Sequence, residues 1–425
     1  MAINRREFLG TTLGGLAAAG AGSLVGLDAL LATDSPAYAG FPTPDAAAGF
    51  RPDTLFLTWQ RDPTTTMTIQ WLGHEHTHSA RISYAVLGQE NWQTADPKLK
   101  PFPNTQFDVF RTELTGLSPG TEYQFKIGDN SPTFRFRTMP AKATNDFTFV
   151  SGGDAGVNRH TIDNNIIAAK QDPMFCLFGG DIAYDNGVSA ATNIQFHRDY
   201  SRTMIDTQGR LIPMVAGIGN HEVRTSKGPL HQRGPYYFAW HDGLYAETSY
   251  ATLDFGDYLS LILLDTNHAS PVAGEQTDWL EKRLAERVEI PHLIPVNHVP
   301  AYPSVRDFNF GGGAPIRKYW VPLYEKYNVD LVLDHHDHAF KRSYPMKDGL
   351  KDPNGILYLG DGSWGKLRRP QGLEKTPYLE HVSESYHFTI HRLEGEERFH
   401  MAMSDSGRIL DVCSTKKKPR GKSMG

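Results

Sequence analysis

The sequence predicts two folded domains, an all-β sandwich domain followed by an α/β domain. Residues from about 50 to 140 contain short segments in which apolar and polar side chains alternate, the pattern of strands with one buried face. From residue 147 onward, apolar runs alternate with helical segments, which is typical of a sheet that contains parallel strands. With 425 residues, the chain is long enough for two complete hydrophobic cores.

The β-sandwich is predicted for residues 40–141. The stretch from Leu114 to Tyr123 resembles the fibronectin type III signature that leads into a late strand of such a sandwich. Met139-Pro140-Ala141 is predicted to be the linker to the next domain. The alternating segments lie at residues 54–59, 66–72, 81–84, 107–114 and 123–127.

The α/β domain is predicted for residues 142–405. Residues 406–425 are predicted to be a basic, disordered tail, because from Ser414 onward they are rich in lysine and lack an apolar pattern. The predicted strands of the domain are 147–150, 174–178, 211–218, 258–264, 292–296, 329–333 and 356–359, with a closing hairpin at 387–403 and helices at 161–171, 190–204 and 277–288.

Residues 1–39 have the features of a twin-arginine signal peptide. Arg5 and Arg6 precede a weakly apolar stretch, and Ala37-Tyr38-Ala39 offers the small residues that a signal peptidase requires. A membrane anchor is the alternative, but Asp28 and the many glycines of this stretch make a poor spanning helix. We therefore expect transient contact with the twin-arginine export machinery, no stable membrane anchor, and a periplasmic or secreted protein.

Composition excludes little else. The formal net charge of -5 gives no reason to expect a nucleic acid partner. The two cysteines, Cys176 and Cys413, are too few for a disulfide framework.

Five short segments carry the residues that predict chemistry, and each follows an apolar run that is predicted to be a strand. Open α/β sheets place their sites beyond the carboxyl ends of the strands, so the side chains of these segments are expected to meet there. Each segment supplies oxygen or imidazole donors, which together favour a two-metal centre. The segments are Gly-Asp154-Ala-Gly, Gly-Asp181-Ile-Ala-Tyr184, Gly-Asn220-His221-Glu222, Pro-Val-Asn-His298 and His336-Asp-His338.

These segments, their order and the preceding sandwich resemble the purple acid phosphatases within the calcineurin-like metallophosphoesterases, over nearly all of residues 50–403. The resemblance implies a four-layer α/β/β/α metallophosphoesterase sandwich and hydrolysis of small-molecule phosphate esters. It also implies one Fe(III) ion and one divalent ion. Asp154, Asp181, Tyr184 and His338 would hold the iron, whereas Asp181, Asn220, His298 and His336 would hold the second metal.

The chemistry of the donors supports the same division. Asp181 is the natural bridge, because two cations ~3.5–4 Å apart repel strongly unless a carboxylate lies between them. Asp154 and Tyr184 offer hard anionic oxygens that suit a trivalent ion, whereas the neutral donors of the second set suit zinc, manganese or ferrous iron. Tyr184 is the most discriminating residue, since without a phenol there a generic two-metal phosphodiesterase would be equally favoured.

The predicted reaction is attack of a metal-bound hydroxide on a phosphate monoester. The two metals would lower the pKa of water to about 7 or below, and the hydroxide would attack phosphorus in line. His221 is predicted to contact the phosphate or to protonate the leaving group. Glu222 is predicted to orient His221 or a ligand histidine.

Two departures from the family pattern concern the substrate. His335 stands where the last motif normally has glycine, and residues 299–317 lack the histidines that often contact substrate in relatives. The predicted substrate-binding residues are Asn220, His221, Tyr302, Arg306 and His335.

Two other functions remain open at this point. The chain could be a metal-dependent phosphodiesterase that acts on nucleotides or phospholipid head groups. It could also be a wall-polymer binding module with a structural metal centre. The second alternative is disfavoured, because a closed structural site would not need the polar side chains of Asn220, His221 and Glu222 beside the metals.

Overall fold

The computed structural model describes residues 50–74, 80–143, 147–309 and 312–419. The predicted signal peptide, residues 1–39, lies outside these ranges. Within them, every helix is too short or too polar to cross a lipid bilayer.

The first domain is a sandwich of two four-stranded antiparallel sheets. One sheet has the strand order β1-β2-β6-β5 and the other has the order β4-β3-β7-β8. The strands are, in chain order, β1 (Phe56–Thr58), β2 (Met67–Gly73), β3 (Ile82–Val86), β4 (Gln93–Ala95), β5 (Lys98–Pro101), β6 (Asp108–Leu114), β7 (Glu122–Ile127) and β8 (Phe134–Arg137).

The alternating pattern of the sequence accounts for this sandwich. In β7 the side chains of Tyr123, Phe125 and Ile127 are buried, while the residues between them are half-buried. The hydroxyl of Tyr123 accepts a hydrogen bond from the Ser118 backbone 2.9 Å away, which fixes the turn that enters β7. The fibronectin-like signature was therefore interpreted correctly as the approach to a late strand.

The second domain contains two further sheets and the helices. Its strands are β9 (Phe147–Gly152), β10 (Cys176–Phe178), β11 (Met214–Ala216), β12 (Ala251–Phe255), β13 (Leu259–Leu263), β14 (His292–Val296), β15 (Leu331–Asp334), β16 (Phe340–Ser343), β17 (Met346–Lys347), β18 (Leu350–Lys351), β19 (Leu357–Asp361), β20 (Leu379–Ser383), β21 (His387–Glu394), β22 (Glu397–Ser404) and β23 (Ile409–Lys416). Its helices are α1 (Arg159–Ala169), α2 (Ala190–Thr203), α3 (Leu230–Arg233), α4 (Pro235–His241), α5 (Glu275–Glu286), α6 (Gly313–Tyr319) and α7 (Val321–Lys326).

Both sheets contain parallel strands, as predicted. The first sheet has the order β11-β10-β9-β21-β22-β23, and its first three strands are parallel. The second has the order β12-β13-β14-β15-β19-β16-β20, with parallel pairing from β13 to β19. Parallel strands end at the same edge of a sheet, and this is what brings the five motif segments together.

The alternation of side chains along the second sheet produces the layers. Leu261 and Leu263 of β13 belong to the apolar core shared with the first sheet. Ile262, between them, belongs to a separate core with Leu280 of α5 and Trp320 beside α7. Successive side chains of a strand point to opposite faces, so this sheet packs on the first sheet on one side and on helices on the other. The domain is a four-layer α/β/β/α sandwich.

Side-chain caps fix where the helices of the first sheet begin. Asn158 caps α1 by accepting a hydrogen bond from the Thr161 backbone, and Ser189 caps α2 by accepting one from Thr192. Each satisfies a backbone N–H that the first helical turn leaves unpaired. The predicted helices were correct to within two residues at each end.

The two domains share a polar and aromatic interface. Arg111 of β6 pairs with Asp242 at 2.5 Å and donates to the backbone carbonyl of Trp240 at 2.6 Å. Phe56 of β1 packs edge-on against the Trp240 ring, with ring centroids 5.1 Å apart. Helix α4, which carries Trp240, is the second domain's side of this contact.

The prediction of a disordered tail for residues 406–425 is wrong where the structure describes it. Strand β23 pairs antiparallel with β22 and completes the first sheet. Lys418 then donates to Asp330 at 2.8 Å, and Asn328 donates to the Pro419 carbonyl. The alternation of lysines with apolar residues is too weak to predict a strand. The segment is ordered because its backbone pairs with the exposed edge of β22. Residues 420–425 lie outside the described part of the chain.

Candidate metal centre

All seven predicted metal ligands lie just past the carboxyl ends of parallel strands. Asp154 follows β9, Asp181 and Tyr184 follow β10, and Asn220 opens a single 3₁₀ turn, Asn220–Glu222, after β11. His298 follows β14, whereas His336 and His338 follow β15. The two sheets therefore contribute to one site from facing edges.

One group of donors surrounds the imidazole of His298. Its Nε2 atom lies 3.3 Å from Oδ2 of Asp181, 3.0 Å from Nδ1 of His336 and 3.3 Å from Oδ1 of Asn220. Donor atoms of Asp154, Asp181, His298 and His336 all lie within 4.8 Å of one another. Of these, Asp181, His298 and His336 were expected with Asn220 to hold the divalent metal, and Asp154 belongs to the set expected to hold the iron.

The second group surrounds the hydroxyl of Tyr184. The hydroxyl donates to Oδ1 of Asp154 at 3.0 Å and lies 2.9 Å from Nε2 of His338. That nitrogen is itself 2.9 Å from the same Asp154 oxygen. The structure thus brings together the phenol, carboxylate and imidazole that were expected to hold the trivalent metal.

The chemistry of this donor set fits a pair of cations. Oδ2 of Asp181 is buried and accepts no hydrogen bond from the described residues, and the imidazole nitrogens of His298 and His221 lie 3.3 Å and 3.9 Å from it. A buried carboxylate oxygen without a hydrogen-bond donor is costly unless a charge lies beside it. The unpaired carboxylate oxygen of Asp181 therefore fits the expected role of a bridging metal ligand.

Electrostatics within the cluster point the same way. Burial opposes ionisation of Asp181, but His298 and His221 hold the pKa of that carboxyl well below its usual value. For His298, burial acts against the charge while Asp181 and Asp154 raise the pKa to about 9. Burial and the carboxylates of Asp154 and Asp181 raise the pKa of Tyr184, so strong positive charge is needed to form a phenolate there.

The backbone of the site is held in an uncommon conformation. Five of the seven predicted ligands have positive φ angles, between 53° and 68°. Such a conformation costs non-glycine residues roughly 1–2 kcal/mol each and persists only where surrounding contacts enforce it. One such contact is the 2.7 Å bond from the His336 backbone to Oδ2 of Asp154. The five residues are Asp154, Asp181, Tyr184, His336 and His338.

Two motif glycines permit the close approach of the ligand segments. A Cβ atom at Gly219 would lie 2.3 Å from Oδ1 of Asp181, and one at Gly180 would lie 2.7 Å from Nδ1 of His298. Gly180 also has a φ of 103°, which favours glycine. The glycines ahead of Asp181 and Asn220 are therefore required by packing at the site.

Glu222 holds the backbone of the site, and the prediction that it orients a histidine is wrong. Its carboxylate accepts three backbone N–H groups, from Asp181 and Gly219 at 2.7 Å and from Ile182 at 2.8 Å. Burial, Asp181 and Asp185 raise its pKa, although the three donors favour the ionised form. From the 3₁₀ turn, this side chain reaches inward to the amides of the Asp181 loop.

His221 lies at the open side of the site. Its ring stacks on Tyr184 with centroids 4.1 Å apart, and its Nε2 is 3.9 Å from Oδ2 of Asp181. Nδ1 is in close hydrogen-bond contact with Oδ1 of Asn186. Because that oxygen only accepts, Nδ1 carries a proton, and Nε2 is the ring nitrogen that faces the cluster.

Two of the predicted substrate-binding residues do not face the site. The Tyr302 side chain is only 2% exposed, and its ring packs against Tyr358, with centroids 4.7 Å apart. His335 is fully buried, and its Nδ1 lies 2.7 Å from the Asn297 carbonyl oxygen. Predicting both as substrate contacts was wrong.

Packing explains both corrections. The glycines at 153 and 179 leave a slot beneath the ligands, where a Cβ at Gly179 would lie 1.9 Å from the His335 ring. The His335 ring fills this slot and is therefore buried. The Tyr302 ring instead joins the apolar core between the second sheet and its helices.

Arg306 does lie beside the site. Its guanidinium donates to the carbonyl of His336 and to Oδ1 of Asp337, both at 2.7 Å. The other Asp337 oxygen accepts from the backbone of Ser304 and Val305. Asp337 thereby fastens the loop after β14 to the histidine motif.

Sequence reasoning missed three residues at the site. They are Asn186, which contacts His221; His268, whose ring lies 5.3 Å from that of His298; and Lys366, whose Nζ lies 4.3 Å from the centroid of the Tyr184 ring. His268 follows β13 as the ligands follow their strands, so strand-end position was a usable signal for it. Nothing in the local sequence linked Lys366 to Tyr184.

Comparison with known proteins agrees with the fold and the site. Residues 52–138 match the purple acid phosphatase N-terminal domain, and residues 124–340, just over half of the chain, match the calcineurin-like phosphoesterase family. An uncharacterised protein of Mycobacterium tuberculosis is 27% identical over 399 residues, covering 82% of this chain and 72% of its own. Purple acid phosphatase 15 of Arabidopsis thaliana is 25% identical over 339 residues, covering 71% of this chain and 62% of its own.

Solved structures share the fold. The purple acid phosphatase PPD1 from yellow lupin (Lupinus luteus) seeds superposes with a TM-score of 0.67 at 18% identity, covering 85% of this chain and 73% of its own. The structure of PhoD superposes with a TM-score of 0.63 at 14% identity, covering 87% and 91%.

Proposed function

Since this chain belongs to the calcineurin-like phosphoesterase family, we propose that it is a binuclear-metal phosphatase that hydrolyses phosphate monoesters. The family and its purple acid phosphatase relatives identify it as a metal-dependent phosphoester hydrolase. The observation that carries the finer proposal is the position of the Tyr184 hydroxyl, between Asp154 and His338. This phenol sets the site apart from a two-metal centre built of carboxylates and imidazoles alone.

Asp154, Asp181, Tyr184 and His338 would hold Fe(III), and Asp181, Asn220, His298 and His336 would hold Zn, Mn or Fe in the divalent state. The anionic oxygens of the first set suit a trivalent ion, while the second set has two imidazoles and one amide. When bound, the pair of cations would supply Lewis-acid activation of the phosphate and lower the pKa of water, so that hydroxide is available at mild pH.

His221 would protonate the leaving group. Asn186 fixes the proton on Nδ1, and Nε2 faces the cluster within 3.9 Å of Asp181. In this position, Nε2 of the imidazolium can donate its proton to the departing ester oxygen. Burial lowers the pKa of His221, so more of this imidazolium is present at acidic pH.

Asn220 and Arg306 would hold the phosphate. Asn220 lies at the cluster, and its amide nitrogen can donate to a phosphate oxygen while its Oδ1 faces the metal. The Arg306 guanidinium is held at the carbonyl of His336, with about a quarter of its side chain exposed. Neither role requires His335 or Tyr302.

We also propose that the protein is exported through the twin-arginine route and acts in the periplasm or outside the cell. Arg5, Arg6 and the Ala37-Tyr38-Ala39 segment support this proposal. Fractionation of cells that express the full chain, with and without Arg5→Lys and Arg6→Lys together, tests it. We expect processed protein outside the cytoplasm for the unaltered chain and not for the double variant. Equal export of the two chains would contradict the proposed route.

The function is tested with 4-nitrophenyl phosphate and bis(4-nitrophenyl) phosphate across pH 4.5–8, using metal-loaded protein. Faster monoester turnover is expected. Faster turnover of the diester would move the protein to the phosphodiesterases while retaining the two-metal site. No turnover of either ester would favour a binding module with a structural metal centre.

A further inference from the structure

The segment after β19, residues 362–371, forms one wall of the metal centre. Trp364 anchors it, because its buried ring donates from Nε1 to Oδ1 of Asn165 at 2.9 Å. The ring packs directly on Gly152, where a Cβ atom would lie 2.3 Å from it. On the other side, Gln371 donates from its backbone to Ser304 at 2.8 Å. The wall is thus fixed to both sheets.

Two backbone bonds place two basic residues of this wall beside proposed ligands. Lys366 donates from its backbone to the carbonyl of Asp154 at 3.0 Å, and Arg368 donates to that of His338 at 2.8 Å. These two bonds hold the backbone of Lys366 and Arg368 against the two segments that carry Asp154 and His338.

Lys366 already contacts the metal centre. Its Nζ atom lies 4.3 Å from the centroid of the Tyr184 ring and within 3.2 Å of where a Cβ of Gly156 would be. The lack of a side chain at Gly156 makes room for this ammonium group. Its stem is flexible, so the group can move from the ring to an anion at the mouth of the site.

The charges of Lys366 and Arg368 are not neutralised by carboxylates of the described residues. Lys366 is partly exposed and Arg368 is exposed, and neither forms an ion pair with a side chain in the described part of the protein. Arg306, on the neighbouring loop, is different, because Asp337 neutralises it. The wall therefore contributes two positive charges that no carboxylate side chain of the described residues neutralises.

We propose that Lys366 and Arg368 form an anion subsite beside the metal centre, which selects phosphate esters that carry a second phosphate group. This inference rests on the proposed function and names its substrate class. The scissile phosphate would lie at the metals, and the second phosphate would lie at the wall, within reach of both side chains. Arginine binds such a group bidentately, and lysine binds it as a point charge.

Binding of a non-hydrolysable pair of ligands tests this subsite without turnover. Propylphosphonate and propane-1,3-bisphosphonate differ by one phosphonate group, and calorimetry with the metal-loaded full chain gives the Kd of each. The bisphosphonate is expected to bind at least about tenfold more tightly, of which twofold is statistical. The advantage should shrink as NaCl is raised, because the subsite is exposed.

Variants locate the effect. Lys366→Gln with Arg368→Gln should reduce the ratio of the two Kd values to about two, whereas Lys98→Gln, on the exposed edge of the first domain, should leave the ratio unchanged. Equal weakening of both ligands would overturn the inference, since the two cations would then serve the first phosphate. A wild-type ratio near two would overturn it as well.

Hydrolysis of 4-nitrophenyl phosphate, measured on the same samples, separates the two proposals. Turnover of that ester without a Kd advantage for the bisphosphonate rejects the subsite alone. A Kd advantage that the double variant loses, without any turnover, supports the subsite and rejects the proposed function.

Discussion

The hydroxyl of Tyr184 lies 2.9 Å from Nε2 of His338, although 154 positions separate the two residues in the chain. Tyr184 follows the first sheet and His338 follows the second, so their contact joins the two layers at one site. The neighbouring Asp154 oxygen is shared by both. A phenol, an imidazole and a carboxylate in this arrangement are suitable ligands for a hard, highly charged cation.

Tyr184→Phe tests the iron site. The unaltered protein, loaded with ferric iron, is expected to show a visible absorption band from charge transfer between phenolate and Fe(III), and the variant should lack it. The buried phenol has a raised pKa, so formation of the phenolate reports directly on the cation. Tyr302→Phe is the matched control, since Tyr302 lies in the apolar core, and it should retain the band. A band of equal strength in Tyr184→Phe would contradict the ligand assignment.

Asp181→Asn tests the bridge. We expect bound metal to fall from about two ions per chain to at most one, and kcat to fall by at least ~10³-fold, because the two cations then lack a shared anion. Elemental analysis and steady-state kinetics measure the two effects. Asp163→Asn, on the surface of α1, should change neither. Full activity in Asp181→Asn would contradict the two-metal hypothesis.

Glu222→Gln tests the role of Glu222 as a support for the Asp181 loop. The amide can accept through one oxygen only, so at least one of the three buried N–H groups loses its partner. The free energy of unfolding should fall by about 1–3 kcal/mol, and metal affinity by about 10–100-fold. Denaturant titration and metal competition measure these changes. Equal values for Glu222→Gln and the surface variant Glu281→Gln would exclude this role.

Removal of metal distinguishes a catalytic centre from a structural one. Treatment with a chelator and a reductant should abolish hydrolysis and also lower Tm by about 5 °C or more, because metal binds the folded state alone. Addition of iron and zinc should restore both. Hydrolysis that survives complete metal removal, confirmed by elemental analysis, would be incompatible with the proposed mechanism.

The domain interface is expected to weaken in acid. His197 is buried between Phe56 and Trp240, its Nδ1 bonds to the Asn193 carbonyl, and burial lowers its pKa to about 4. As pH falls, His197 is protonated in the unfolded chain before it is protonated in the folded protein, which favours unfolding. The stabilisation from the neutral, buried His197 is therefore fully present above pH 6.5 and is lost as pH falls toward 4. This one group accounts for about 3 kcal/mol over that window.

His197→Phe should flatten this dependence, and the unfolding free energy at pH 7.5, 6, 5 and 4.5 measures it. His241, which is buried in the same cluster and also has a lowered pKa, contributes in the same direction and leaves a residual slope. Identical pH dependence in variant and unaltered protein would show that His197 does not titrate in this window.

The local sequence was sufficient for the secondary structure that carries the site. Period-two alternation identified the strands of the sandwich, and β14 was predicted with its observed limits, His292–Val296. Strand ends followed by Asp, Asn and His indicated the candidate ligands, because the carboxyl edge of a parallel sheet brings such positions together. These signals work because both depend on the backbone period and on donor chemistry, which are properties of neighbouring residues.

Other features depended on which side chain faces which space, and no local pattern encodes that. His335 is buried because Gly153 and Gly179 leave a slot for it, and those glycines lie more than 150 positions away. Glu222 bonds to the Asp181 loop because the 3₁₀ turn directs it inward. The tail became β23 because β22 offered an open edge.

By itself, the sequence determined the fold class, the two domains and the candidate ligands, since these follow from periodicity and from donor types placed after strands. Only the tertiary structure decided which polar groups face the ligands. It placed Lys366 over Tyr184, bonded Asn186 to His221 and removed Tyr302 from the site. The reason is physical: a side chain's partner across the fold is selected by packing volume and by buried hydrogen bonds that must be satisfied, and both exist only once the layers have assembled.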